Sequence, residues 1–500
     1  MKLKKHFSLL LAASLLCGSC IIPQTAAAEP LIWGDVDESG EVDVCDAVLL
    51  SRYYAEDWSA VVSASGKQAA DVNRDEKIDD TDITQILCYV AKLCDELGVP
   101  EEWNESSYNA VNLIKDIPVQ DVSGKNTDAA FQNSQLAFTA GLMKDIIKNQ
   151  EAPENLMISP LSISLALAMT ANGANGNTKA EMESVLGSEL TMDSLNPYYK
   201  SYAENLPDSP QSSLKIANSI WIRNDENRIK VPDAFLQTTA NYYKADVFRA
   251  PFDDSTVTDV NNWVNYHTHA MIPKLIESVD PYEVMYLINA LAFEAEWMKP
   301  YAKEETGEGK FTLENGETVT AEMMYSDEYQ YISDAKSTGF IKNYAGGGYS
   351  FAAILPNAGV SVEEYLSGMT AESVSALLAG RSNESVNAAM PKFSFDYSIK
   401  LNDTLTRLGM PTAFSDVADF SALNAVADNP LHIGLVLHKT HITVDERGTK
   451  AGAVTLVAMT DECVSDPPKT VRLDRPFVFM IVDEKAKLPV FIGCVLDPTA

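Results

Sequence analysis

The chain has 500 residues, 46% of them hydrophobic and 22% charged. A single core seldom grows past about 300 residues, so at least two folded units are expected, and the ordinary balance excludes a disordered or collagen-like chain and a polytopic membrane protein. Lys and Arg number 38 against 71 Asp and Glu, a net charge of -33 at pH 7, which repels phosphate backbones and anionic lipid and argues against nucleic acid or a membrane as partner.

At the amino end Lys2, Lys4 and Lys5 precede an apolar run from Phe7 to Leu16, and Ala26-Ala27-Ala28 supplies small side chains before Glu29. Residues 1–28 therefore read as a cleaved secretory signal, and the mature protein is expected to be secreted and extracellular. The apolar run is too short to cross about 30 Å of hydrocarbon, which takes about 20 helical residues. Cys20 offers a lipoprotein alternative, with Cys17 standing where a branched apolar residue is usual. Cleavage leaves Cys45, Cys88, Cys94, Cys463 and Cys494. The odd number predicts at least one free thiol, and no thiolate-zinc spacing survives.

Asp35, Asp37, Ser39, Gly40, Asp43 and Asp46 take positions 1, 3, 5, 6, 9 and 12 of a twelve-residue loop, and Asp71, Asn73, Asp75, Asp79 and Asp82 repeat it 36 residues later. Alternate side chains of such a loop converge on one hard cation, and the carbonyls of Glu41 and Lys77 at position 7 complete the shell, so two calcium ions are expected. Glu76 replaces Gly at position 6 of the second loop, which makes that site the weaker match. Each loop opens an apolar-periodic helix, whereas the stretch between the loops shows no well-marked entering helix. Sixteen acids stand against five Lys or Arg in residues 34–96, a repulsion that bound cations would relieve.

Asp rather than Glu at position 12, with paired loop-helix units, makes residues 34–96 similar to a dockerin, a small all-α module that binds cohesin modules of a cellulosome scaffold. The resemblance implies a cohesin-binding face at Val44, Cys45 and Arg52. The counterparts Asp80, Thr81 and Cys88 differ in character, which implies one preferred face, with a pair of partly degenerate faces as the alternative. Residues 97–125, with scattered Pro, Ser and Asn and little periodicity, read as a linker.

Beyond the linker, helical periodicity marks 130–147, 160–169 and 177–186, and strand-like runs mark 219–222, 286–293, 350–355, 433–437, 477–482 and 490–495. The mixture lacks regular βαβ alternation and indicates an α+β unit. Serine-hydrolase, zincin and P-loop motifs are absent from the sequence, and the histidine pairs lack a third ligand at metal spacing.

Six segments carry more: NLMISPLSISLALAMTANGA (155–174), ANSIWI (217–222), LINALAFEAEWMKPY (287–301), MPKFSFDYSIKLNDTLTRLGM (390–410), HKTHITVDERGTKAGAVT (438–455) and DRPFVFMIVDEKAKLPVFIGCVLDP (474–498). In that order they resemble the serpins, over residues 127–500. The resemblance implies three β-sheets with a five-stranded central one, about nine helices and an exposed reactive loop. It also implies a suicide substrate of serine, or cysteine, endopeptidases rather than an enzyme: the protease cleaves the loop, and the freed strand inserts into the central sheet with the protease still acylated. A non-inhibitory binding or chaperone protein on the same fold, carried on a cellulosome, is the alternative.

The implied loop can be tested by strand alternation. From Thr449, the first inserted position, one face carries Thr449, Ala451, Ala453, Thr455, Val457 and Met459, all small or apolar, while Lys450 points the other way. Glu446 matches the anchor at the head of the loop, Gly448 the hinge glycine, and Ser159, Ser162, Asn289 and His438 the polar shutter beneath the sheet. By the same resemblance the scissile bond is expected fourteen places beyond Gly448, between Glu462 and Cys463, with Met459 as the alternative.

Overall fold

The computed structural model describes residues 32–55, 60–73, 78–91, 97, 108–150, 152–209, 211–268, 272, 274–280, 282–426, 431–449 and 468–500. The expected signal segment lies outside them, as do Asp75, Lys77, Ala451, Ala453, Thr455, Met459, Glu462 and Cys463. The chain divides into two units, Met1–Pro100 and Glu101–Ala500.

In the smaller unit α1 (Val44–Tyr54) and α3 (Asp80–Val90) start identically. Asp43 and Asp79 cap them, and Asp46 and Asp82, three residues on, reach back to the cap backbone. This is a capping box built of carboxylates, which also suits the positive end of a helix. The two helices enclose Val36, Leu50, Val72 and Ile86. Between the loops lies α2 (Ala64–Ala70), a short helix that the sequence analysis did not anticipate. Ser63 caps it by accepting from the Gly66 N–H, and alanines fill its body; seven residues are too few to show periodicity.

The larger unit holds, among the described residues, nine α-helices: α4 (Ala129–Asn149), α5 (Pro160–Ala171), α6 (Gly176–Gly187), α7 (Met192–Glu204), α8 (Asp233–Tyr242), α9 (Asp254–His267), α10 (Val362–Ser367), α11 (Ala371–Ala379) and α12 (Asn402–Leu408). Three sheets accompany them. The central one runs β1 (Val111–Asn112), β4 (Asp246–Ala250), β3 (Ser212–Arg223), β5 (Met285–Glu296), β14 (Gly448–Thr449), β13 (Leu435–Val444), β12 (Phe393–Lys400). The second runs β2 (Leu156–Ile158), β17 (Leu488–Val495), β16 (Phe477–Asp483), β10 (Tyr349–Pro356), β9 (Ser337–Asn343), β8 (Tyr331–Ser333). The third runs β15 (Lys469–Arg472), β11 (Val386–Pro391), β7 (Thr318–Glu328), β6 (Thr306–Thr312).

Helix α5 is buried along its whole length, as its apolar run requires, with Ser159 as cap and Pro160 in the first turn where a missing N–H costs nothing. Strands β10, β16 and β17 are likewise buried on both faces. The central sheet has the five expected strands of five or more residues, plus the two-residue β1 and β14. Strand β13 runs on to Val444 rather than ending at residue 437; its polar HKTH stretch hides strand character that the neighbouring β12 supplies.

Part of the expected linker belongs to the larger unit. Val111 and Asn112 pair with Arg249 and Phe248 at the sheet edge, and the N–H groups of Asn109 and Ala110 each donate to Asp259 Oδ2 at 2.9 Å. Leu113, Ile114 and Ile117 pack on the core. An extended segment that docks through its backbone has no periodicity to announce it, so composition alone suggested a linker.

Candidate functional site

The hinge. Strands β5 and β13 pair in parallel only through Tyr286–Asn289 and Leu435–His438. Above that point they diverge, and β14 stands between them: Gly448 and Thr449 pair with Glu296 and Ala295 of β5, and Thr449 pairs with Val444 of β13. Gly448 is required here because a Cβ would meet the Ala295 carbonyl oxygen at 2.0 Å. The turn leading into it is closed by Asp445, whose Oδ1 accepts from the Arg447 and Gly448 N–H groups at 2.8 and 3.1 Å.

Trp297, just past β5, anchors that turn. Its N–H donates to the Arg447 carbonyl at 2.7 Å and its indole N–H to the Asp445 carbonyl at 2.9 Å. Glu446, the expected anchor, pairs with Lys392, which also meets Glu322 at 3.0 Å. Burial alone would raise the Glu446 carboxyl; Lys392 outweighs it and holds the group below the usual carboxylate range. Sequence reasoning missed both Lys392, although it lies in a quoted segment, and Lys342. The Lys342 ammonium is buried against Glu328 at 2.7 Å and lies 4.1 Å from the centre of the Tyr301 ring. Burial lowers its proton affinity, against the pull of Glu328. Nothing local in the sequence marks Lys342, which sits between Ile341 and Asn343 at the end of a strand.

The polar cluster beneath the sheet. Ser159, Ser162, Asn289 and His438, expected together, are together. The Ser159 N–H donates to His438 Nε2 at 3.0 Å, so Nε2 is the acceptor and Nδ1 carries the proton, 3.3 Å from Asn289 Oδ1. Asn289 Nδ2 donates to the Ser162 carbonyl at 3.1 Å and to Asn218 Oδ1. Ser159 Oγ accepts from the Ser162 N–H at 3.3 Å. His438 is 1% exposed, and burial lowers its pKa to about 3, so the ring is neutral. Asn218, on β3, is the member that was missed; it lies inside the ANSIWI segment, where only the sheet register reveals it opposite Asn289.

The acidic loops. Asp46 Oδ1 accepts from the Val36 and Asp37 N–H groups at 2.7 and 3.0 Å, and Oδ2 from the Asp43 N–H at 2.8 Å. Asp82 does the same with Val72, Asn73 and Asp79, the residues 36 positions on. Asp35 accepts from the Ser39 and Gly40 N–H groups, and Gly40 turns the loop at φ 89°. Ser39 Oγ donates to the Glu41 carbonyl at 3.0 Å. Carboxylate oxygens of Asp35, Asp37 and Asp46 lie within 4.8 Å of one another. Burial raises Asp46, with Asp37 adding to it against the backbone donors; it raises Asp82 to about 7, with Asp79 adding to it. Carboxylates gathered this closely, two of them buried, form a hard oxygen donor set that a divalent cation fits. In the second loop Asp71, Asn73, Asp79 and Asp82 are described.

On the outside of α1, Val44 and Val48 are each 52% exposed, in line with exposed Arg52 at i, i+4, i+8, and Cys45 beside them is an exposed free thiol. Val48 was missed. The equivalent stripe of α3 is Asp80, Thr84 and Cys88, with Asp and Thr where the first has two valines.

A family model described as Serpin (serine protease inhibitor) matches residues 133–498. The chain belongs to the serpin family. A model described as Dockerin type I domain matches residues 33–91, so a dockerin precedes the serpin domain; dockerins of this type bind calcium in general. Alpha-1-antitrypsin 1-1 of Mus musculus is 29% identical over 402 residues, 77% of this chain and 94% of the mouse protein. Among solved structures, the thermophilic serpin tengpin in its native state is 46% identical with a TM-score of 0.74, over 78% of this chain and all of tengpin's. Tengpin in its latent state is 45% identical with a TM-score of 0.66, over 75% of this chain and 99% of its own. Serpins are inhibitors rather than catalysts, and this serpin is not an enzyme.

Proposed function

We propose that this serpin is a secreted suicide inhibitor of serine endopeptidases, with cysteine endopeptidases a further target class, held on a cellulosome scaffold by its dockerin. The observation that carries the inhibitory reading is the divergence of β5 from β13 above Asn289 and His438, with Gly448 and Thr449 already seated at its upper end. Continuing both registers downward brings Thr455 opposite Asn289 on one side and His438 on the other. The loop would thus reach the polar cluster with a small hydroxyl side chain, at the point where β5 and β13 first pair directly. Thr449, Ala451 and Ala453 precede it on the same face, and none is too large or charged to enter.

Insertion adds roughly 12 ladder hydrogen bonds at about 1 kcal/mol each, a gain that makes reversal negligible. Ser159, Ser162, Asn289 and His438 act as the shutter that must part, and Glu446 as the anchor from which the strand swings in. The protease supplies the nucleophile, so no catalytic group is required of the serpin. Incubation with serine endopeptidases of different pocket chemistry, followed by denaturing gel electrophoresis, tests this: a covalent complex is expected, and clean cleavage without complex would favour the non-inhibitory binding role.

The dockerin would hold two calcium ions, one through Asp35, Asp37, Ser39, Glu41, Asp43 and Asp46, the other through Asp71, Asn73, Asp75, Lys77, Asp79 and Asp82. It would present Val44, Cys45, Val48 and Arg52 to a cohesin. The exposed Val44 and Val48 of α1, where α3 has Asp80 and Thr84, support one preferred face. Among the described residues no helix is long and apolar enough to cross a membrane.

A further inference from the structure

Tyr344 follows β9 in the second sheet, yet its ring lies buried beneath the hinge of the central one. It stacks on Trp297 with centroids 4.4 Å apart and planes at 10°, and meets Phe293 edge-on at 5.4 Å. That packing fixes the ring and leaves the hydroxyl one direction. Tyr344 Oη lies 2.5 Å from Thr449 Oγ1. Thr449 is itself 3% exposed and paired with Ala295 on one side and Val444 on the other. The first residue of the inserting face is therefore seated before any cleavage, and a side chain from another sheet is bonded to it.

We propose that Tyr344 is a positioning residue for strand insertion: its hydroxyl holds Thr449 between β5 and β13, so that insertion extends an existing two-residue strand instead of starting a new one. Ordering the first residues of a strand costs conformational entropy before the ladder compensates for it. A hinge held in place has met that cost in advance. The bond need not break as the strand lengthens, because Thr449 occupies the same place before and after. Tyr344 meets the loop at Thr449, 13 residues before Glu462 in the sequence, so its loss slows insertion without changing acylation or deacylation by the protease.

The inference rests on the inhibitory reading, and its test separates the two. The full chain is titrated against a protease that forms the covalent complex, and the ratio of cleaved to complexed serpin is measured. Tyr344→Phe keeps the stack on Trp297 and loses only the hydroxyl, so that the hinge is free to leave its seat before cleavage; the ratio is expected to rise by up to about fivefold, equivalent to the roughly 1 kcal/mol of one neutral hydrogen bond. Thr449→Val should raise it by a similar factor, and Thr449→Ser, which keeps the hydroxyl, should recover most of that loss. The double variant Tyr344→Phe with Thr449→Val should be no worse than either single one, a result that general loosening of the core would not give. Multiplying effects in the double variant, or an unchanged ratio for Tyr344→Phe, would overturn the latch while the inhibitory reading stands. If Tyr344→Phe fails to fold, the comparison of Thr449→Val with Thr449→Ser decides the matter. A wild-type chain that forms no complex with any protease overturns the inhibitory reading and the latch together.

Discussion

Asn289 and His438 face each other at the last residue pair where β5 and β13 join directly, with His438 Nδ1 3.3 Å from Asn289 Oδ1. The Ser159 N–H, which donates to Nε2 on the other side of the ring, needs a neutral imidazole. Because both nitrogens are engaged and the ring is buried, a second proton would leave the ring charged and would displace the Ser159 N–H from Nε2.

The first prediction is a pH dependence. An unfolded histidine titrates near 6.5, and His438 in the folded protein at about 3. The folded pKa is the lower one, so between pH 6.5 and 3 the unfolded state binds a proton that the folded state refuses. The stabilising effect is complete above that window and is lost as pH falls through it, at up to about 1.4 kcal/mol per unit. His438→Gln should flatten the slope of stability against pH by up to one proton, measured from urea midpoints at several pH values. Identical slopes would show that the ring is not held neutral.

Thr449→Arg should turn the inhibitor into a substrate. The guanidinium would have to enter the buried position beside Tyr344 without a partner, a cost of several kcal/mol. Deacylation would then outrun insertion. The stoichiometry of inhibition is expected to rise more than about tenfold, by the conversion of 1.4 kcal/mol per factor of ten; a value close to wild type would refute the alternation argument.

Calcium should govern the dockerin. Asp46 and Asp82 are buried carboxylates whose charge is disfavoured by desolvation and by acidic neighbours, and a bound cation removes that penalty. In chelator the smaller unit should lose helical signal and cohesin affinity, and calcium should restore both, as followed by calorimetry and circular dichroism on the full chain. Asp46→Ala should weaken the first site selectively. Tight cohesin binding in chelator would contradict the assignment.

The scissile bond is expected after Glu462, fourteen places beyond Gly448. A glutamate there suits a protease pocket that is basic or glutamyl-selective, since a trypsin-type pocket opposes it with like charge. Mass spectrometry of the complex should place the new amino terminus at Cys463. Cleavage reproducibly after Met459, with Glu462→Ala leaving the inhibition rate unchanged, would move the bond.

The sequence by itself determined what is encoded over a few residues. The two acidic loops were legible because their oxygen-bearing side chains alternate within twelve residues and the pattern recurs 36 positions on. Helix α5 and strands β10, β16 and β17 were legible because unbroken apolar runs have nowhere to go but the core. The expectation of a small-residue face from Thr449 to Met459 came from the sequence alone, because alternation is a property of one strand. Tertiary structure alone decided which distant side chains meet. Tyr344 reaches Thr449 across 105 residues, Asn218 reaches Asn289 only through the register of β3 on β5, and Lys342 is a buried lysine only because β7 brings Glu328 to it. Residues 109–114 became part of the fold because β4 and Asp259 offered their backbone partners. A local pattern carries its own period and needs no neighbour to be read. A contact between sheets depends on the packing of every element between the two residues, and no stretch of sequence short enough to show a period contains it.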